Sequence, residues 1–82
     1  MSKIPTDEQV GMTILAIFGK YKVRPGEMLK LGVIRDNIER YDGFRIEDVS
    51  RGVKWLLDNG HIEQGREKGD MLFLTQSGFD LI

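Results

Sequence analysis

Residues 49–64 of this chain read Val-Ser-Arg-Gly-Val-Lys-Trp-Leu-Leu-Asp-Asn-Gly-His-Ile-Glu-Gln, and they decide its fold. Four apolar residues recur at helical spacing, so the segment predicts a helix with one apolar stripe. The stripe consists of Val49, Val53, Leu56 and Leu57. Asn59-Gly60 should end this helix, because glycine adopts the left-handed conformation beyond a helix end without steric cost. Ile62 then opens an extended run. The stretch predicts a helix, a glycine stop and the start of a hairpin.

The rest of the chain completes a small α+β arrangement. Thr6 and Gln9 have the spacing of a capping box at the start of a first helix. Its predicted buried stripe is Val10, Ile14, Ile17, Phe18 and Tyr21. Apolar spacing and glycine-containing turns predict helices near 7–21, 31–41 and 46–59, a hairpin over 61–75 and a short strand around 27–29. Leu72 and Leu74 should face the core, because side chains alternate along a strand. We therefore expect one domain over residues 1–82.

Composition limits the classes of function. The chain has 82 residues, 40% of them hydrophobic and 30% charged, which is typical of a globular domain. It has no cysteine, so disulfides and thiolate metal sites are excluded. No apolar run approaches the roughly 18 residues of a membrane span, and the N-terminus has no signal-peptide core. We expect a cytoplasmic protein without membrane association.

Enzyme signatures are missing from the sequence. His61 is the sole histidine, and its neighbour Glu63 adds only one further metal ligand. No paired carboxylates, catalytic triad or glycine-rich phosphate loop is present. We expect no catalytic activity, no cofactor, no metal and no small-molecule ligand.

Two segments resemble motifs of known regulators. The residues that run from helix 46–59 into the hairpin resemble the motif joining recognition helix and wing in MarR-type transcription regulators. They are Val49, Ser50, Arg51, Leu56, Gly60 and Ile62. Leu74-Thr75-Gln76-Ser77-Gly78 is similar to the segment closing the wing in MarR- and PadR-like domains. Gly52 and Trp55 depart from that pattern, which has a bulkier and a polar residue there. The resemblance implies a winged helix-turn-helix domain with three helices and a two- or three-stranded wing.

This resemblance implies a small DNA-binding transcriptional regulator, with helix 46–59 in the major groove of double-stranded DNA. Ser50, Arg51 and Lys54 would contact DNA from the helix, and Arg66 and Lys68 from the wing tip. The same residues also fit an ordinary solvated face with two ion pairs. Those pairs would be Glu47–Arg51 and Lys54–Asp58.

The overall charge favours a second interpretation. Twelve lysines and arginines against thirteen aspartates and glutamates give a net charge of −1. DNA-binding domains usually carry excess positive charge, because phosphate neutralisation supplies much of their affinity. The alternative is a winged-helix protein–protein interaction module that does not bind DNA, since a fold does not fix a function.

Several apolar side chains remain outside the predicted core. Trp55, Met71, Phe73 and Phe79 form the candidate interface for a homodimer or another protein partner. For Trp55, packing against a neighbour within the chain, such as Phe44 or the wing, is the other interpretation.

Overall fold

The computed structural model describes residues 4–67 and 69–82, which form an α+β fold. The predicted α+β class is thereby confirmed. In chain order the elements are α1 (Asp7–Lys20), β1 (Met28–Lys30), α2 (Leu31–Ile38), α3 (Val49–Asp58), β2 (Ile62–Gln64), β3 (Met71–Leu74) and α4 (Gln76–Asp80). A single 3-10 turn, Ile46–Asp48, leads into α3. The predicted helix 46–59 is thus a 3-10 turn followed by an α-helix that ends at Asp58.

Helix α1 begins with the predicted capping box. The Thr6 N–H donates to Gln9 Oε1 at 2.8 Å, and the Gln9 N–H donates to Thr6 Oγ1 at 3.1 Å. The predicted stripe is buried as far as Phe18. Its last member, Tyr21, is 47% exposed, so that prediction was wrong. The helix ends at Lys20, and the Tyr21 hydroxyl instead accepts a hydrogen bond from Asn37 Nδ2.

Helix α2 is shorter than the predicted range 31–41. After Ile38 the N–H groups of Arg40 and Tyr41 donate to carbonyls three residues back, so the α-helical pattern stops and turns follow. Ile34 and Ile38 are fully buried, while Tyr41 only packs against the edge of the core. The early stop leaves residues 39–45 as the connection between α2 and the turn that opens α3.

The three strands form an antiparallel sheet in the order β1-β3-β2. Leu29 lies opposite Leu72, and Ile62 lies opposite Leu74. All four side chains are buried, which confirms the predicted inward face of Leu72 and Leu74. They join a core that is completed by Val23, which follows α1, and by the helical residues Val10, Ile14, Leu15, Ile17, Phe18, Ile34, Ile38, Val49 and Leu56.

The end of α3 and the short α4 are joined by hydrogen bonds. Gly60 has a φ of 72°, which confirms the predicted left-handed stop. Thr75 caps α4 by accepting from the Gly78 N–H at 3.1 Å, and its hydroxyl donates to the Gly60 carbonyl at 2.7 Å. Gly78 lies directly against the His61 carbonyl, where a Cβ would collide with it. The segment Leu74–Gly78 therefore fastens the C-terminal helix to the α3–β2 junction.

Candidate nucleic-acid interface

The outward face of α3 follows from its contact with α1. Gly52 faces α1 so closely that a Cβ there would lie 2.5 Å from Val10 Cγ1 and 2.8 Å from Ile14 Cδ1. Residues on the other side of α3 are consequently turned away from α1. Ser50, Lys54 and Asp58 follow one another at intervals of four residues, and all three are exposed.

A groove runs between α2, α3 and the hairpin, with a volume of about 240 Å³. Leu31, Val53, Leu57 and Leu72 contribute apolar side chains to its lining. Its charged and polar lining residues are Arg35, Ser50, Lys54, Asp58 and Gln64. We call this surface the α3 groove. Two cations and one carboxylate give its described charged residues a formal charge of +1.

Ser50 and Lys54, two of the predicted DNA-binding residues, lie in the α3 groove. No ion pair joins Lys54 to Asp58 in the described part of the chain, so the suggested pair is not formed. Sequence reasoning missed Arg35, the exposed cation that α2 adds to the same groove. The available sequence signal was its position one helical turn beyond Leu31, whereas the side of α2 that borders the groove is set by the tertiary structure.

Arg51 is directed elsewhere. Its Nη2 donates to Asp48 Oδ1 at 2.8 Å, and its Nη1 donates to Asp7 Oδ1 at 2.8 Å and to the Pro5 carbonyl at 3.2 Å. The suggested pair with Glu47 is replaced by one with Asp48, three residues earlier. Arg51 therefore connects the start of α3 to the start of α1 and does not line the α3 groove.

Asp48 is the carboxylate that this arrangement stabilises. Its side chain also accepts the Arg45 N–H at 3.0 Å. The hydrogen bond from Arg51 holds the pKa of Asp48 below its usual value, burial opposes that change, and the Arg45 N–H adds to it. The hydrogen bond to Asp48 in turn raises the pKa of Arg51. The negative charge of Asp48 near the predicted DNA-binding face is thus compensated within the chain.

The hairpin adds one described cation at its turn. Arg66 is exposed there, and Lys68 lies outside the described residues. Gln64 Nε2 donates to the Gly69 carbonyl at 2.9 Å, and the Gly65 N–H donates to the Met71 carbonyl at 2.8 Å. These two bonds fix the base of the turn beside the α3 groove. Arg66 does not line the groove itself.

The predicted partner-interface residues fall in three different places. Trp55 is half-buried, with its ring against Gly11 of α1 and a centroid 5.4 Å from the His61 ring. Its neighbours are therefore within the chain: His61 belongs to the predicted hairpin 61–75, as suggested, whereas Gly11 was not among the suggested neighbours. Met71 and Phe73 are half-buried on the outer face of the sheet, and Phe79 is 41% exposed on α4.

The described residues contain no cluster of three or more histidine or acidic side chains that could hold a metal ion. None of the described helices is both long enough and apolar enough to cross a membrane. No family model matches the chain, and comparisons with curated proteins and with solved structures give no match either.

Proposed function

We propose that this chain is a winged helix-turn-helix domain that binds double-stranded DNA through the α3 groove, as a small transcriptional regulator. The order of elements supports the proposal, because α2 and α3 are joined by residues 39–48, which end in a 3-10 turn, and are followed directly by a two-stranded hairpin. The sheet order β1-β3-β2 places the hairpin and the short first strand together.

One observation carries the proposal: the exposed polar residues of α3 share a groove with a cation from α2. Lys54 and Arg35 can donate to phosphates or to guanine acceptors, and Ser50 can reach a phosphate oxygen. Arg51 offsets Asp48 and Asp7, two carboxylates that would otherwise repel phosphates near the same helix. Arg51 thus acts as a positioning residue in this proposal, while Lys54 and Arg35 make the contacts.

A fluorescence anisotropy titration with a labelled mixed-sequence duplex at low salt tests DNA binding. We expect modest affinity and a shallow salt dependence, about 0.9 log units per phosphate neutralised, because few cations line the groove. Replacing both Arg35 and Lys54 by alanine should weaken binding by about tenfold or more, at about 1.4 kcal/mol per factor of ten. Both side chains are exposed, so the variant should still fold.

The matched control replaces Lys22 and Arg40 by alanine. Both residues are exposed, and neither lines the α3 groove. Their replacement removes the same total charge as the replacement of Arg35 and Lys54. If both double substitutions weakened DNA binding equally, the effect would be due to the loss of overall positive charge and not to the α3 groove. Absence of binding at low salt would reject the DNA proposal.

A second function is favoured by the apolar residues of the same groove. Val53 and Leu57 are only half-buried, and the whole chain carries a net charge of −1. Both features suit a peptide segment of another protein better than a phosphate backbone. The interaction-module alternative therefore takes precedence if the duplex fails to bind.

A further inference from the structure

A second surface lies around the turn between α2 and α3. Three neighbouring depressions all include Phe44 among their lining residues. We call them together the Phe44 surface. Their described lining residues are Ile4, Pro5, Glu8, Gln9, Met12, Thr13, Glu39, Asp42, Gly43, Phe44, Arg45, Ile46, Glu47, Asp48 and Arg51. The Phe44 surface and the α3 groove have no described lining residue in common.

The Phe44 surface carries three of the eight large hydrophobic side chains that are exposed in the described part of the chain. Ile4 is 81% exposed, Ile46 is 46% exposed and Met12 is 37% exposed, and each of them lines a depression that also includes the half-buried Phe44. They come from the segment before α1, from α1 and from the turn before α3, so the tertiary fold brings them together. Single exposed apolar residues are ordinary, but a group of them around an aromatic ring is typical of a binding surface.

The charge of the Phe44 surface is strongly negative. Five carboxylates against two guanidinium groups leave its described residues with a formal charge of −3, whereas the entire chain carries −1. One of those guanidinium groups, Arg51, is already held by Asp48 and Asp7. The partner that complements such a surface is basic. The same charge disfavours a nucleic acid there.

We propose that the Phe44 surface binds a basic amphipathic segment of a partner protein. Apolar side chains of that segment pack over Phe44, Ile46 and Met12, and its lysines or arginines pair with Glu39 and Asp42 at the rim. Because the α3 groove is a separate surface, the domain can hold this partner and DNA together. The inference does not depend on DNA binding.

A defined peptide tests the proposal. The probe is a fluorescein-labelled amphipathic helix of leucine and lysine, ~18 residues or about five turns long, titrated into the full chain by anisotropy. We expect saturable binding that shifts the amide NMR signals of Met12, Phe44 and Ile46 but not that of Lys54. A peptide with glutamate in place of lysine should bind at least about tenfold more weakly, since its charges repel the rim.

Matched variants distinguish specific peptide binding at the Phe44 surface from nonspecific hydrophobic binding. Met12→Ser with Ile46→Ser should weaken binding by about tenfold or more. Leu81→Ser with Ile82→Ser is the control, because these residues are 44% and 51% exposed but lie outside the Phe44 surface. For the charges, Glu39→Gln with Asp42→Asn should weaken binding, while Glu63→Gln with Asp70→Asn should not.

The outcomes that overturn the proposal are specific. Absence of saturable binding, equal binding of the acidic peptide, or equal weakening by test and control pairs would each reject it. Sedimentation of the protein without peptide tests whether a second copy of this chain binds the Phe44 surface instead. A dimer that the Met12 and Ile46 substitutions dissociate would show that a second copy of this chain occupies the surface.

Discussion

Arg51 shows how one side chain can serve the fold while it looks like a ligand contact. It lies one helical turn before Lys54 and Trp55, on a helix whose outer face was predicted to bind DNA. Its guanidinium nonetheless bonds three acceptors from two parts of the chain. At the scale of single residues, the presence of two nearby carboxylates decides where a cation points.

Replacing Arg51 by alanine should lower the thermal midpoint of unfolding at neutral pH. The substitution leaves the mostly buried Asp48 carboxylate without its main partner and removes the link to Asp7. Arg45→Ala is the control, because its ion pair with Glu47 has both side chains more than two-thirds exposed and should contribute little. An Arg51→Ala midpoint equal to that of Arg45→Ala would contradict this role.

The effect of Arg51→Ala should also depend on pH with a definite sign. The folded pKa of Asp48 is lowered, so its pairing stabilises the fold above the usual carboxyl pKa of about 3.9. That stabilisation is lost as the pH falls through the folded pKa. The difference in midpoint between the wild type and Arg51→Ala should therefore be full above about pH 5 and should shrink towards pH 3. A constant difference over this range would exclude Asp48 as its source.

At the scale of elements, the packing of α3 on α1 explains both departures from the regulator motif. Gly52 permits the close approach of the two helices, and Gly11 leaves room for the Trp55 ring. A bulkier residue at position 52 would push the helices apart, and a polar residue at 55 would leave Gly11 uncovered. The two unusual residues are therefore accounted for by intramolecular packing.

Gly52→Ala should destabilise the domain by about 1–3 kcal/mol, because the added methyl meets Val10, Ile14 and the α1 backbone. Gly32→Ala is the matched control in α2. Nothing lies within 4 Å of its added Cβ, so the better helix propensity of alanine should stabilise by up to about 1 kcal/mol. Urea unfolding of both variants measures the difference. If both substitutions changed the free energy of unfolding in the same direction, the contact between α1 and α3 would be looser than described.

At the scale of the whole molecule, the nearly neutral net charge conceals a separation of charge. The described residues of the Phe44 surface carry −3, those of the α3 groove carry +1, and the chain as a whole carries −1. The overall balance therefore understates the positive character available to a nucleic acid. It also understates the negative character available to a basic partner. The two surfaces share no described lining residue.

Self-association stays a prediction at this scale. The outer face of the sheet presents Met28 beside Phe73, with Met71 on the same strand, and most closed oligomers are two-fold dimers. Sedimentation at micromolar concentrations should show a dimer that Met28→Lys dissociates. Met12→Lys, with the same 37% exposure on another surface, should leave it intact. If the protein sediments as a monomer at all concentrations tested, the homodimer prediction is rejected and these residues belong to the ordinary protein surface.

The sequence determined the elements whose signals are local. Apolar spacing predicted three helices, strand alternation placed Leu72 and Leu74 in the core, and Gly60 was correctly predicted to end α3. The capping box of Thr6 and Gln9 involves residues only three apart, so it too was readable. Boundaries were less accurate at residues 39–41, because a change to three-residue hydrogen bonding has no sharp sequence signature.

Tertiary packing determines which surface residues are free to bind. Arg51 is engaged by Asp7, 44 residues away, and Trp55 lies on Gly11, equally distant along the chain. Arg35 joins Lys54 in one groove, and Ile4, Met12 and Ile46 converge on Phe44. Helical periodicity assigns each residue a face on its own helix. It does not specify what the rest of the fold places against that face, so the binding surfaces emerge only when the helices and sheet have packed.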